Sequence, residues 1–462
     1  MSKSVLLLLV TVFCLNLASA EHLPWVLDGA QDRIEAIRQG DCQLRLLLPD
    51  GQTVAKESVY SLSQTRHAFN FGGSLAADWE VPNRNWYAEF KDRFANLFNY
   101  ATIDFYWAVH SNQQGKWNYR ADSREKLDWA NEQEMRLRGH PLMWHEVVPE
   151  WIASSERSVK DLDQDIMAHV RMLAEDFPEI DEWDLYNETP GIRLKAPDMG
   201  ARRWVESQGG PGPATEVIVD AVRGIQPDGR FVVNHFAEND PEFHEQIEYC
   251  LSNEVPFDAI GIQTHMHHQG DTFSEQRLWN ALERFSKYGK PLQLSEISIL
   301  SCETFPNWPT LSLWEEEIAT AKKAGKPTPC KPTTPKWERY QADLAHDFYT
   351  LAFSHPAVES IIWWTITDLE PWRGMPAGLL DAEGQAKPAY HALDQLINQQ
   401  WNTQIEATTA QDGRAQFRGY YGSYTVTVEH DGETLTGEFD LRRGPLVVQN
   451  VALRVTPGSE QL

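Results

Sequence analysis

The sequence predicts an α/β protein: a (β/α)8 TIM barrel with an accessory β-sandwich formed from the N- and C-terminal segments. Three observations carry that prediction. From residue 67 to about residue 400, eight short apolar runs alternate with amphipathic stretches of helical period, which implies a parallel sheet closed into a barrel. Two of those runs end in a carboxylate, and the C-terminal strand ends of a barrel are where functional residues collect. Before residue 67 and after residue 400 the pattern changes to short strands and tight turns. The alternative is an open doubly wound sheet, but no Gly-rich phosphate loop follows the first run.

Composition bounds the partners. With 41 Lys and Arg against 67 Asp and Glu, the formal charge is −26. That balance argues against nucleic acid and anionic membrane surfaces, and fits a neutral or cationic ligand. Hydrophobic residues fill 42% of the 462 positions, enough for a barrel core and a smaller second unit. The chain carries 18 Trp. Core packing accounts for part of them, and stacking on the flat faces of sugars is the other use.

Taken in order, residues 1–20 read as an export signal. Lys3 is followed by the apolar run Val5–Leu17 and the small residues Ala18-Ser19-Ala20. That run is too short for a membrane span, so the expectation is a secreted or periplasmic, soluble monomer. Cys42, Cys250, Cys302 and Cys330 match no zinc spacing, and Cys302 with Cys330 is the preferred disulfide. Residues 21–66 are expected as a β segment, with strands from residue 32 onward and a turn at Pro49-Asp50-Gly51-Gln52.

Residues 67–400 hold the barrel. Its strands are expected near His67–Leu75, Leu97–Phe105, Arg136–Trp144, Ile180–Asn187, Phe231–Asn234, Ala259–Thr264, Pro291–Glu296 and Glu359–Thr365. Helices such as Ser158–Asp176 and Trp337–Ser354 fall between them. Strand alternation places Trp363 outside the barrel. Residues 301–337, with Pro306, Pro309, Pro327, Pro329, Pro332 and Pro335, read as a long loop above the seventh strand. In residues 401–462, Asp412-Gly413 and Asp431-Gly432 mark turns, and Tyr424–Val428 alternates. The run Ala415–Tyr424 reads as the central hairpin of a transthyretin-like sandwich, completed by residues 32–66. Two unrelated β extensions are the alternative.

The chemistry lies in two strand ends. The fourth run closes on Asn187-Glu188 before Pro190-Gly191, and the seventh closes on Ser295-Glu296. Either carboxylate alone reads as an ordinary solvated group. Together they would meet across the barrel mouth, and two carboxyl groups flanking a sugar bond are what glycoside hydrolysis requires. One must stay protonated and the other ionised. His265-Met266-His267-His268 suggests a metal, but no carboxylate or Cys stands at useful spacing, so neither metal nor cofactor is assigned. His140 and His145 read equally as core histidines. Asn187-Glu188-Thr189 is formally a glycosylation sequon, where a glycan would block the cleft.

Residues 67–395 resemble glycoside hydrolase family 10, the endo-β-1,4-xylanase family. The resemblance rests on Trp183-Asp184-Leu185-Tyr186-Asn187-Glu188, on Leu294-Ser295-Glu296, on Gly139-His140-Pro141-Leu142-Met143-Trp144-His145, on Gly261-Ile262-Gln263-Thr264-His265, and on Trp364 to Arg373. It implies a retaining, endo-acting β-glycosidase for β-1,4-linked xylan or a decorated hemicellulose of the plant cell wall. Glu188 would be the general acid/base and Glu296 the nucleophile. Asn187 and His140 would contact the reacting sugar, and Gln263 and His265 would orient Glu296. Trp144, Trp364 and Trp372 would wall the same sugar. A dead or weakly active barrel that only binds carbohydrate is the competing reading.

The chain departs from the family's pattern on the glycone side. Asp104 stands for the usual Glu, Phe105 for Asn, Ala108 for Lys, Val147 for Gln and Ser298 for Asp. Phe105, Ala108 and Val147 are therefore expected to make that pocket an apolar wall, tolerant of substituted sugars.

Overall fold

The computed structural model describes residues 25–75, 81–111, 119–154 and 156–456. The expected export signal lies outside the described residues. Eight parallel strands close a barrel in chain order: Asn70–Ser74, Tyr100–Asp104, Arg136–His140, Glu182–Asp184, Arg230–His235, Ala259–Ile262, Leu292–Ile299 and Val358–Trp363. The eighth pairs with the first, Ser360 opposite Asn70, which closes the ring. Helices between the strands start where the sequence caps them. Ser158 accepts from the Asp161 N–H at the head of Val159–Asp176, and Thr334 accepts from the Trp337 N–H at the head of Pro335–Phe353. Trp363 packs behind the eighth strand against Tyr349, its indole N–H donating to the carbonyls of Thr365 and Ala377.

The barrel interior is polar in its lower layers. Glu182 accepts from the Tyr100 hydroxyl, from Arg230 Nε at 2.9 Å and from Gln293 Nε2 at 2.9 Å. Gln293 also donates to Glu359 at 2.9 Å, and Arg230 pairs with Glu359. One layer up, Asp184 accepts from Arg138 and lies 2.6 Å from His140 Nδ1. Six strands are thereby joined by ionic and hydrogen-bonded contacts rather than by the branched apolar residues that usually fill a barrel.

Both end segments build one sandwich beside the barrel. Strand Gln39–Leu47 runs antiparallel to Arg414–Tyr420 and parallel to Val448–Ala452. Strand Val59–His67 lies between Gln404–Thr408 and Gly422–His430 in a second sheet. Leu44, Leu46, Leu62, Tyr424, Val426 and Val428 form part of the core between the sheets. Asp431 and Gly432, at φ 51° and 84°, make the two-residue turn between Gly422–His430 and Glu433–Leu441. The run Ala415–Tyr424 is not a hairpin. Its two strands belong to different sheets, with Tyr421 at the crossing.

Two further expectations are corrected. Residues 30–38 form a helix, not a strand: Ala30 and Ile34 share its buried face, Asp32 lies in its first turn and Arg38 in its last. Its Arg38 donates to the carbonyls of Phe353, His355 and Val358, which fixes the helix at the start of the eighth strand. Residues 301–337 are not one loop either. Trp308–Lys323 is a helix whose Asn307 cap accepts from Thr310 N–H, with Pro309 in its first turn, where a missing N–H costs nothing. The four cysteines Cys42, Cys250, Cys302 and Cys330 are free thiols. Cys302 is buried with Leu300, Phe305 and Met375, while Cys330 is exposed, its Sγ 3.4 Å from the Lys331 carbonyl, so the expected pair does not form.

Replacing Glu182 with Ala removes the acceptor shared by Tyr100, Gln293 and the partly exposed Arg230. The expected loss is about 2–4 kcal/mol of unfolding free energy, read from urea denaturation. A loss below about 1 kcal/mol would mean that the lower polar layer is dispensable.

Candidate active site

The fourth strand is continued by Tyr186–Asn187, which pairs in parallel with Met143–Trp144, Asn187 opposite Trp144. Glu188 then turns the chain at φ 55° and ψ 29°. A non-glycine residue held there costs on the order of 1 kcal/mol. Its N–H donates to the Asn234 carbonyl at 3.0 Å and its own carbonyl accepts from Gly191 at 2.8 Å. The turn therefore projects the Glu188 carboxyl from a fixed backbone. Gln263 Nε2 donates to one oxygen at 2.8 Å, and Trp144 Nε1 to the other at 3.2 Å. Burial and the neighbouring Glu296 carboxylate push this carboxyl up to about 7, against the pull of those two hydrogen bonds.

Glu296 sits inside the seventh strand, which is buried along its whole length. Asn234 Nδ2 donates to Oε1 at 2.7 Å, and His265 Nε2 lies 3.1 Å from Oε2. Burial alone would raise this carboxyl as well. The His265 hydrogen bond and the field of His140 outweigh it and hold Glu296 below its ordinary value. His265 Nδ1 meets the Ser298 hydroxyl at 2.9 Å. With Nε2–H donating to Glu296, Nδ1 is an acceptor and Ser298 donates to it. Both ring nitrogens of His265 are satisfied by that arrangement.

Asn234, on the fifth strand, joins the two halves. Its Nδ2 donates both to Glu296 and to Asn187 Oδ1 at 2.9 Å, and its Oδ1 accepts from Ser295 Oγ at 2.7 Å. Gly261 makes room for it, because a Cβ there would lie 2.4 Å from Asn234 Oδ1. Asn187 is only 1% exposed, so a glycan on the formal sequon has no room in the fold, and its buried Nδ2 has no partner among the described residues. An unsatisfied amide beside two carboxyl groups is a donor waiting for a ligand.

His140 is held by Asp184, which is itself paired with Arg138. Burial disfavours the imidazolium, but the Asp184 hydrogen bond and the Glu296 charge raise His140 above its ordinary value. Trp364 stands edge-on to His140 at 5.1 Å and to His265 at 6.0 Å. Trp372, 37% exposed, stands edge-on to His265 at 4.8 Å. The structure thus gathers Glu188, Glu296, His140, Trp144, Asn187, Gln263, His265, Trp364 and Trp372 at one mouth. Gln263 touches Glu188 rather than Glu296. His145 is buried outside this set, and burial pushes its imidazole down to about 3. Asn234, Arg138 and Tyr106 belong to the site or its support and carry no motif of their own.

Phe105 does not take part in the apolar wall expected on the glycone side. Phe105 is buried against Phe177 and Trp183, with ring centroids at 4.7 and 4.9 Å, behind the strand. Asp104 pairs with Lys126 at 2.6 Å and His110 at 3.2 Å. Tyr106 is the side chain of this stretch that faces the mouth, its ring 5.8 Å from His140 and 5.6 Å from Trp144.

A pH-dependent stability follows from Glu188. Its folded-state value lies above the ordinary 4.5, so ionisation as pH rises through about 7 disfavours the folded state. Glu188→Gln, which cannot ionise, should raise the melting temperature at pH 8 by several degrees more than at pH 5. An equal change at both pH values would mean that the carboxyl is not held protonated.

A family model for glycosyl hydrolase family 10 matches residues 66–396. Among curated proteins, the chain is 22% identical over 422 residues to the anti-sigma-I factor RsgI6 of Acetivibrio thermocellus, covering 89% of this chain and 47% of that protein. It therefore spans about half the length of that relative. It is 21% identical over 336 residues to endo-1,4-beta-xylanase B of Thermotoga neapolitana, covering 70% of this chain and 86% of that one. Among solved structures, native xylanase 10B from Thermotoga maritima superposes with a TM-score of 0.57 at 19% identity, covering 72% of this chain and 96% of that one. Xylanase 10B from Thermotoga petrophila RKU-1 in complex with xylobiose gives 0.56 at 19% identity, covering 72% and 95%. At such identities the structural likeness establishes the barrel, while the family match spans well over half of the sequence. The chain belongs to glycosyl hydrolase family 10.

Proposed function

We propose that this protein is a retaining, endo-acting β-glycosidase that hydrolyses β-1,4-linked xylan or a decorated hemicellulose by double displacement. The observation that carries the reading is the opposed titration of two carboxyl groups at one mouth: Glu188 held up to about 7 and Glu296 held below its ordinary value. Family membership and relatives named endo-1,4-beta-xylanases support it.

In this reading Glu296 attacks the anomeric carbon while Glu188 gives its proton to the departing glycosidic oxygen. The bond to the leaving sugar breaks as the Glu296–sugar ester forms. Glu188, now ionised, takes a proton from water, and that water displaces Glu296. Asn187 Nδ2 donates to the 2-hydroxyl of the sugar, a contact that strengthens as positive charge develops on the ring. His265 and Asn234 hold the nucleophile on both oxygens, and Trp144, Trp364 and Trp372 offer ring faces to the C–H faces of the sugar. Export to the medium or periplasm would bring the enzyme to its polymer.

A binding-only barrel is the second reading. The substitutions at Asp104, Ala108, Val147 and Ser298, and the relative named as an anti-sigma factor, favour it. Turnover of any xylo-configured substrate by the purified protein decides against it.

Glu296→Ala should abolish turnover of every substrate. Glu188→Ala should lose about 10²–10⁴-fold on polymer, yet keep the first step on aryl glycosides with good leaving groups and regain turnover with azide. Equal, unrescued losses would mean that the roles are misassigned. Proton NMR of fresh product should show the retained anomer, and an inverted one would exclude double displacement. The kcat/KM profile should fall above about pH 7 as Glu188 loses its proton, and on the acid side only below the ordinary carboxylate range, as Glu296 gains one.

A further inference from the structure

The second barrel strand ends at Asp104, and Phe105 and Tyr106 carry its alternation on to the helix Trp107–His110. Phe105 and Trp107 face away from the mouth. Trp107 lies flat on His169 at 3.9 Å and edge-on to Trp151 at 5.5 Å. Tyr106, between them, faces the opposite way and stands beside His140 and Trp144. Its hydroxyl makes no hydrogen bond to any described residue. It lies in the field of Asp104, Glu296, Glu188 and Asp184, and burial together with these carboxylates keeps its proton on. Tyr106 therefore offers the mouth an O–H donor that no described residue accepts, beside the unpartnered Asn187 Nδ2.

The two donors divide the sugar between them. An internal residue of a β-1,4-linked xylan has only its 2- and 3-hydroxyls free. Asn187 takes the 2-hydroxyl in the function proposed above, on which this step rests. We infer that Tyr106 reads the 3-hydroxyl of the sugar bound against Glu296, with its phenol as hydrogen-bond donor beside the imidazole of His140. The site then requires a free 3-hydroxyl on that sugar. A 3-O-acyl or 3-O-glycosyl substituent would displace the phenol, and an acidic substituent would meet the ionised Glu296.

The test uses the full chain, its Tyr106→Phe variant and aryl β-xylobiosides, either intact or deoxygenated at C2 or C3 of the sugar that carries the aryl group. Tyr106→Phe should lower kcat/KM on the intact substrate about 5- to 20-fold and leave the melting temperature unchanged. The 3-deoxy substrate should cost the wild type a similar factor and the variant nothing further. The 2-deoxy substrate should cost both proteins equally. A variant within twofold of wild type on the intact substrate would overturn the inference, as would an additive loss with the 3-deoxy substrate. Wild-type protein inert on every β-xyloside would bring down the hydrolase reading and this inference with it.

Discussion

Two carboxyl groups buried at one barrel mouth cannot both be ionised without severe repulsion, because little solvent is present to screen them. Much of the mouth answers that constraint. Glu296 receives the donors, Asn234 and His265, and the field of a raised His140. Glu188 also receives two donors, Gln263 and Trp144, but burial and the Glu296 charge outweigh them and it keeps its proton. The left-handed turn at Glu188 and the missing side chain at Gly261 serve the same arrangement, one by aiming a carboxyl and the other by admitting Asn234.

Beneath the mouth the charges continue. Arg138 and Asp184 hold His140, and the Tyr100–Glu182–Arg230–Gln293–Glu359 layer lies lower still. Buried ion pairs contribute little net stability compared with well-packed apolar residues, but removing one partner is costly. A barrel filled in this way fixes side-chain directions sharply. The position of His140 is inherited from two layers of paired charge rather than from the loop after it.

The barrel was legible because its signals are periodic, and the carboxylates because each closes an apolar run. What the sequence hid were single residues and local exceptions. Asn234 lies next to last in an ordinary strand, and nothing in Val232-Val233-Asn234-His235 says that the amide turns inward to three partners. Tyr106 was recoverable in principle: Tyr100, Thr102, Asp104 and Tyr106 share one parity, which sends Phe105 to the other face. Proline density concealed the helix Trp308–Lys323, although Asn307 with Pro309 is a helix start. The helix at residues 30–38 is short, and its stability comes from docking Arg38 onto three carbonyls of a segment more than 300 positions away.

The sandwich has a consequence for how the chain assembles during synthesis. Strands Gln39–Leu47 and Val59–His67 leave the ribosome early, but their partners at Arg414–Tyr420 and Gly422–His430 come after the whole barrel. Until then both strands present unpaired edges and apolar faces such as Leu44, Leu46 and Leu62. Pairing at such sequence separation is entropically slow. The sandwich can close only once the C-terminal strands are present, and a truncation before residue 414 leaves the adhesive edges exposed.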